Sequence, residues 1–268
     1  MLSKDIMKRM IVEFHESELP ELIEREIGAR IKLDMRRIVT IIGIRRSGKT
    51  YLMYSLIKRL LEKGVEGNRI LYIDFEDDRI TPFSTADFDR LLDAYFELYP
   101  GNVRGGIYIF LDEIQNAIGW EKAVRRLHDR LDARIFITGS SSKMLSREIA
   151  TSLRGRTMTF EVTPFSLSEI LGAKGVKVDD KTQFSTSRFK VMEILRDYLE
   201  FGGFPEVALE PDDDIKIRML RQYLETIIAR DLAERFGLRN IPFLRELMRY
   251  LATSAGKSFS ASSFFRSS

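Results

Sequence analysis

The chain has 268 residues, 44% of them hydrophobic and 10% aromatic, which suffices for one sizeable core or two unequal ones and argues against a disordered chain. It has no cysteine, two distant histidines (His15 and His128), and 43 Lys and Arg against 40 Asp and Glu. That composition excludes a disulfide framework and thiolate zinc chemistry, and gives no sign of a strongly basic nucleic-acid binder. No run of about 18 apolar residues occurs, and charges are mixed through "MLSKDIMKRMIVEF", so a cytoplasmic protein with no membrane span and no signal peptide is expected.

In chain order, Ile6, Met10, Ile11 and Phe14 share one face and predict an N-terminal helix leaning on the core, within a segment running to residue 36. From Arg37 to about residue 165, apolar β-branched runs alternate with amphipathic segments, the pattern of a parallel sheet covered by helices. Five strands are predicted: "RIVTIIG" (37–43), "RILYIDF" (69–75), "GIYIFLDE" (106–113), "ARIFITG" (133–139) and "TMTFEV" (157–162). After the first comes "GIRRSGKT", then "KTYLMYSLIKRLLEKG", a predicted helix stopped at Gly64. Trp120, Ala123, Val124, Leu127 and Leu131 predict a second amphipathic helix, with arginines on its outer side. Beyond Pro164 the chain turns polar and broken, so a domain boundary is expected near residue 165. A helical domain should then span about 166–255, with Ile217, Leu220, Leu224, Ile227 and Ile228 on an apolar face. Residues 256–268 read as a poorly ordered serine-rich tail.

"GIRRSGKT" fits the phosphate-loop pattern Gly, four residues, Gly-Lys-Thr, placed between a predicted strand and a predicted helix. Gly43 and Gly48 permit the tight backbone path, successive N–H groups form a concave nest, and the helix dipole favours an anion. Lys49 supplies a compact charge for β- and γ-phosphates, and the Thr50 hydroxyl can bind Mg²⁺. Arg45, Arg46, Ser47, Gly48, Lys49, Thr50 and Tyr51 are therefore the candidate nucleotide contacts. Asp112 and Glu113 end a strand and can divide the work of nucleotide hydrolysis, Asp112 holding the metal and Glu113 orienting water as base. Thr138, Ser140 and Ser141 end another strand, where they serve either a γ-phosphate or attacking water, or cap the next helix. Arg154 and Arg156 in "LRGR" are either arginine fingers, in cis or in trans, or surface residues before a strand. The acidic run "DFEDD" at 74–78 either tunes the metal site or forms a solvated strand end.

These segments together resemble a group of archaeal and bacterial AAA-superfamily P-loop ATPases. The likeness runs through "GIRRSGKT", "IYIFLDEIQN", "IFITGSSSKML", "LRGR", "PFSLSEIL", "YLEFGGFPEV" and "IIARDLAERFGLRN". It implies an α/β fold: an ASCE/AAA-type P-loop NTPase core with a five-stranded parallel sheet, helices on both faces, and a smaller α-helical C-terminal domain. It implies ATP/ADP with Mg²⁺, Lys49 and Thr50 in the Walker A role, Asp112 and Glu113 in the Walker B role, Ser140 near the sensor position, and Arg156 at the group's "GR" position. Gly202, Gly203 and Pro205 match the group's glycine-proline turn, read here as a sharp interhelical turn. Members of the group continue into a winged-helix-like segment, and the chain stops at "FSASSFFRSS", so a missing or incomplete wing is expected.

The leading expectation is an ATPase with Lys49, Glu113 and Arg156 as catalytic residues, its nucleotide state switching the helical domain, with a homo-oligomer as a candidate assembly. The alternative is an ATP-dependent DNA-binding or regulatory module, supported by eight Lys/Arg against four Asp/Glu between Lys216 and Arg249. A phosphotransferase is disfavoured by Glu113, since a base beside the metal carboxylate suits water as acceptor.

Overall fold

The apolar run before the glycine loop forms strand β1, Ile38–Gly43, with all six residues buried. The computed structural model describes residues 2–140, 153, 155–234, 237–256, 260 and 262–264; of Ser140, Arg230, Asp231 and Glu234 only the backbone is described. With β2 (Ile70–Asp74), β4 (Ile107–Asp112), β6 (Ala133–Ser140) and β7 (Thr157–Glu161), β1 builds a five-stranded sheet in the order β2-β4-β6-β1-β7. Every pairing is parallel. The sheet thus interposes β6 between the loop-bearing strand and the strand ending in Asp112. The strands β3 (Phe83–Ser84) and β5 (Ala117–Ile118) pair separately and lie outside the expected set.

Side chains alternate between two cores, as a sheet covered on both faces demands. Ile38, Ile42, Leu71, Ile73, Ile109, Leu111, Ile135 and Ile137 face one cluster. Val39, Ile41, Tyr72, Phe110 and Phe136 face the other. Helix α3, Lys49–Glu62, supplies Leu52, Met53, Leu56, Ile57 and Leu60 to the second cluster. The first is covered by α1 (Lys4–Glu16), α4 (Asp87–Leu98) and α5 (Trp120–Arg130). Each buried Leu or Ile contributes about 1.5–3 kcal/mol, so these faces dominate the stability of the sheet.

The expected N-terminal helix is α1: Ser3 caps it by accepting from the Asp5 N–H, and Met7, Met10 and Ile11 are buried. His15 in its last turn is a structural histidine. Its Nε2 lies 2.7 Å from the Ile70 carbonyl, which can only accept, so Nε2 donates there, and Nδ1 lies 2.8 Å from the Tyr99 hydroxyl. A five-residue helix, α2 (Glu26–Arg30), precedes the first strand.

Past β7 come α6 (Leu167–Ala173), α7 (Ser187–Phe201) and α8 (Pro205–Leu209), around a small core of Phe165, Ile170, Leu171, Ile194 and Ala208. The chain divides into two compact units, Met1–Ala208 and Leu209–Ser268, later than the expected change near residue 165. The reason is a set of ties from 165–203 back to the sheet unit, including Arg25 to Glu169 at 2.9 Å and the Glu26 N–H to Glu169 at 2.9 Å.

The second unit contains α9 (Asp213–Thr226), a π-helical stretch Ile227–Glu234, and α10 (Ile241–Thr253). Ile228, Ala233 and Leu244 form its core, whereas Ile217 and Leu224, expected on the buried face, stay exposed. The expected serine-rich tail is partly folded: the Phe264 ring is buried and packs edge-on against Phe243 and Tyr250. Among the described residues no helix is long and apolar enough to cross a membrane.

Candidate functional site

Because the sheet is wholly parallel, the carboxyl ends of its strands share one edge, the usual ligand edge of an open α/β sheet. Gly43 is in register with Ser140, and Asp74 with Asp112, so the loop and the acidic strand ends are neighbours there.

The loop leaves β1 at Gly43, where a side chain is excluded: a Cβ would lie 2.4 Å from the Val162 carbonyl oxygen and 2.6 Å from the Ser47 hydroxyl. It enters α3 at Gly48, whose φ of 94° is left-handed and suits glycine. This N-cap makes no side-chain hydrogen bond. Four other helices have a side-chain cap, from Ser3, Ser166, Asp212 and Asn240, while α2, α4, α5 and α7 have none. The first N–H groups of α3 thus have neither an intrahelical acceptor nor a cap, which leaves a set of donors and the positive helix end for an anion. The Ser47 hydroxyl is buried without a hydrogen-bond partner.

Lys49 is 4% exposed, and its Nζ lies 3.0 Å from Glu113 Oε1. Glu113 follows the end of β4 in a left-handed conformation, φ 47° and ψ 46°, an uncommon one for a non-glycine residue, which turns its side chain out of the strand direction. Two acceptors hold its N–H: Asp112 Oδ1 at 3.1 Å and Thr138 Oγ1 at 2.8 Å. Asp112 is 1% exposed and accepts from the Thr138 hydroxyl, from Tyr72 at 3.1 Å, and from Thr50. Burial pushes the Asp112 carboxyl above the usual carboxylate range against the pull of those hydrogen bonds. The Thr50–Asp112 pair and the Lys49–Glu113 pair stand side by side in sequence on both elements.

The donor set fits a magnesium–nucleotide complex. Mg²⁺ takes one or two protein oxygens and completes its shell with phosphate and water, and a hydroxyl beside a carboxylate is such a set. No group of three or more His, Cys, Asp or Glu side chains able to hold a metal occurs among the described residues.

The remaining expected residues divide. Arg45 pairs with Glu76 at 3.1 Å and Arg46 with Glu206 at 2.8 Å, both at the loop. Tyr51 is in the first turn of α3 and is 54% exposed. Thr138 is fully buried, its hydroxyl donating to Asp112 and accepting from the Glu113 N–H. The Ser140 backbone closes β6 in register with Gly43, while its side chain, with Ser141, Ser142 and Arg154, lies outside the described residues. Arg156 is not brought to the loop within this chain. It precedes β7, its carbonyl accepts from the Ile38 N–H, and its guanidinium binds Asp129 at 2.9 Å. That places it at the amino edge of the sheet, about 16 Å from the loop along a six-residue strand. The same edge carries a cavity of about 390 Å³ lined by Arg36, His128, Asp129, Arg130, Asp132 and Arg134, of mixed charge and closed by the carbonyl end of α5.

Of the acidic run, Asp77 binds Arg79 and caps a short turn, as a solvated strand end does. Asp74 differs: burial, with the charges of Asp112, Glu76 and Glu113 adding to it, pushes its carboxyl up to about 6 despite a hydrogen bond from the Glu76 N–H. A carboxyl raised in the fold costs stability once ionised, so its penalty is absent below about pH 4 and develops as pH rises through about 6. Asp74→Asn is accordingly expected to match the wild type in urea unfolding at pH 4 and to be the more stable protein at pH 7; equal stability at both pH values would contradict this.

Sequence reasoning missed Arg25. It is 5% exposed and donates to the Ser47 carbonyl of the loop at 3.0 Å, to the Thr163 carbonyl at 2.7 Å and to Glu169 at 2.9 Å, its guanidinium lying over the Phe165 ring. Glu169 also closes a capping box with Ser166. The S-x-x-E spacing of that box is legible in "SLSE"; nothing local marks Arg25.

Comparison with known proteins supplies a family. The AAA domain family matches residues 35–171, and a domain of unknown function matches 192–266. An uncharacterized protein of Methanocaldococcus jannaschii is 38% identical over 232 residues, 86% of this chain and 49% of its own length. An uncharacterized protein of Haemophilus influenzae is 34% identical over 221 residues, 82% of this chain and 52% of its own length. The chain thus spans about half the length of the curated relatives it matches. Among solved structures, Cdc6p of Pyrobaculum aerophilum aligns with a TM-score of 0.37 at 16% identity, over 62% of this chain and 54% of that one. PCH-2 of C. elegans aligns with a TM-score of 0.38 at 15% identity, over 85% and 68%.

Proposed function

Since the chain belongs to the AAA domain family, we propose that it binds ATP with magnesium at the Gly43–Thr50 loop and hydrolyses it to ADP and phosphate. The observation that carries this reading is the uncapped start of α3, with buried Lys49 drawn onto Glu113 and Thr50 onto Asp112. A lysine and a glutamate held together at a helix N-terminus are what an anion site and its hydrolytic base look like before phosphate separates them.

In this reading the loop N–H groups and the α3 dipole cradle the phosphates, and Lys49 exchanges Glu113 for the β- and γ-phosphate oxygens. Thr50 and Asp112 hold magnesium, which when bound neutralises part of the phosphate charge and steadies the leaving oxygen. Glu113, relieved of Lys49, orients a water molecule and accepts its proton. Thr138 keeps the Asp112 and Glu113 roles apart by fixing the carboxylate of one and the N–H of the other. While Lys49 and Glu113 hold each other, neither is available, so the unliganded protein has no competent base. The Gly43–Thr50 loop is also joined to the segment before the second unit, through Arg46 and Glu206, a route by which nucleotide state can bias the helical region.

Lys49→Ala is expected to weaken binding of ATP with magnesium about a hundredfold in isothermal titration, the loss of a charge-assisted contact of roughly 2–3 kcal/mol. Wild-type affinity in that variant would remove the loop from the nucleotide site.

A further inference from the structure

Arg46 occupies the middle of the loop with φ 65°, one of two described non-glycine residues at positive φ, the other being Glu113. A left-handed arginine is disfavoured on its own, so something must hold it. Its guanidinium reaches Glu206 Oε2 at 2.8 Å.

Glu206 is not on a loose segment. It stands in the first turn of α8, directly after Gly202-Gly203-Phe204-Pro205. That turn is fastened to the sheet unit: the Phe165 N–H donates to the Gly203 carbonyl at 2.6 Å, and a Cβ on Gly203 would sit 2.2 Å from the Phe165 carbonyl oxygen. Pro205 in turn lies against the loop, 3.7 Å from where a Cβ on Gly48 would be. The glycine-proline turn therefore seats a carboxylate next to a loop whose free N–H groups and helix dipole already favour an anion.

We propose that Glu206 is a positioning residue for the phosphate loop, acting through Arg46: it holds the guanidinium in the unliganded state, and a nucleotide's phosphates take it over on binding. This rests on the reading of Gly43–Thr50 as a phosphate loop. The competition follows from charge alone. Phosphates add three or four negative charges beside an arginine that has the Glu206 carboxylate at hydrogen-bond distance, and they repel that carboxylate. Removing the Glu206 charge releases Arg46 from this pair and lifts the repulsion. The effect is larger for a triphosphate than for a diphosphate, and it shrinks with added salt, because both side chains are partly exposed. Glu206 precedes by three residues the point at which the chain passes into the second unit, so a phosphate-dependent change at this pair acts where the two units are joined by the chain.

The test is a double-mutant cycle on the full chain, titrating a non-hydrolysable ATP analogue and ADP, each with magnesium, into wild type, Glu206→Gln, Arg46→Asn and the double variant. Asparagine tolerates the left-handed backbone at position 46, so the cycle removes charge without adding strain. Glu206→Gln is expected to tighten the ATP analogue about two- to fivefold, in the range of a partly exposed ion pair, to tighten ADP less, and to have less than a twofold effect when Arg46 is already Asn. Unchanged or weaker binding by Glu206→Gln, or an equal gain in the Arg46→Asn background, would overturn the proposal while leaving the phosphate-loop reading intact. Absence of nucleotide binding by the wild type would instead overturn that reading and this inference with it.

Discussion

Glu113→Gln is expected to give a protein that binds ATP and magnesium yet releases phosphate about 10²–10⁴-fold more slowly, the usual contribution of a general base. Glutamine keeps the size of the side chain but cannot take a proton from water. The backbone that places it is untouched, because the Glu113 N–H is held by Asp112 and Thr138 rather than by its own side chain. Binding should be equal or tighter, since Lys49 loses a partner 3.0 Å away that competes with phosphate for it. Phosphate release and nucleotide titration on the same preparation separate the two effects. Turnover within about threefold of wild type would remove Glu113 from the base role.

The second large effect is structural. Arg25→Ala takes one side chain from three acceptors at once, the Ser47 and Thr163 carbonyls and the Glu169 carboxylate, at a site where both charges are buried. Breaking a buried pair by removing one partner costs about 3–5 kcal/mol, because the other charge is left uncompensated. Glu169 keeps N–H donors from Ser166 at 2.9 Å and Glu26 at 2.9 Å, which places the loss toward the lower part of that range. Arg25→Lys should recover little, since an ammonium cannot address three diverging acceptors as a guanidinium does. An acid-side signature accompanies the loss. Burial alone would raise the Glu169 carboxyl, but Arg25 and the two N–H donors outweigh it and hold the group below its ordinary value. A depressed carboxyl contributes stability that is present above its unfolded value near 4.5 and is lost as pH falls through the folded one. Arg25→Ala should therefore flatten the fall in stability between about pH 5 and pH 3. Urea unfolding across pH tests both claims; a midpoint stability within about 1 kcal/mol of wild type would contradict them.

The legible part of this protein is its local part. Five apolar runs became the five strands because a parallel sheet covered on both faces needs uninterrupted hydrophobic segments, and "RIVTIIG" and "IYIFLD" are such segments. The loop was legible because glycine has a specific geometric reason at 43 and 48. The bracing of the site was not. Thr138 reaches Asp112 across a strand pairing, Arg46 reaches Glu206 across most of the chain, and Arg25 meets Glu169 only in the folded protein. No periodicity or spacing encodes such pairs. Arg156 shows what chain direction decides. It immediately precedes a strand, and in an all-parallel sheet the residue before a strand lies at the edge opposite the ligand side, so chain direction alone separates it from Gly48 and Lys49 in the same chain.

The Arg25 clamp also orders events in time. Eight contiguous residues spell the phosphate loop, yet the group that holds its Ser47 carbonyl comes from upstream, and the counter-ion of that group lies 144 residues further on. On a growing chain the loop is synthesised long before Glu169, so Arg25 waits with its charge in water until the last strand and the following helix have emerged. Closing so long a loop is slow and comes late in folding. The anion site is thus finished only after the sheet that carries it, and a half-made chain presents the loop's sequence without the shape that would let it hold a nucleotide.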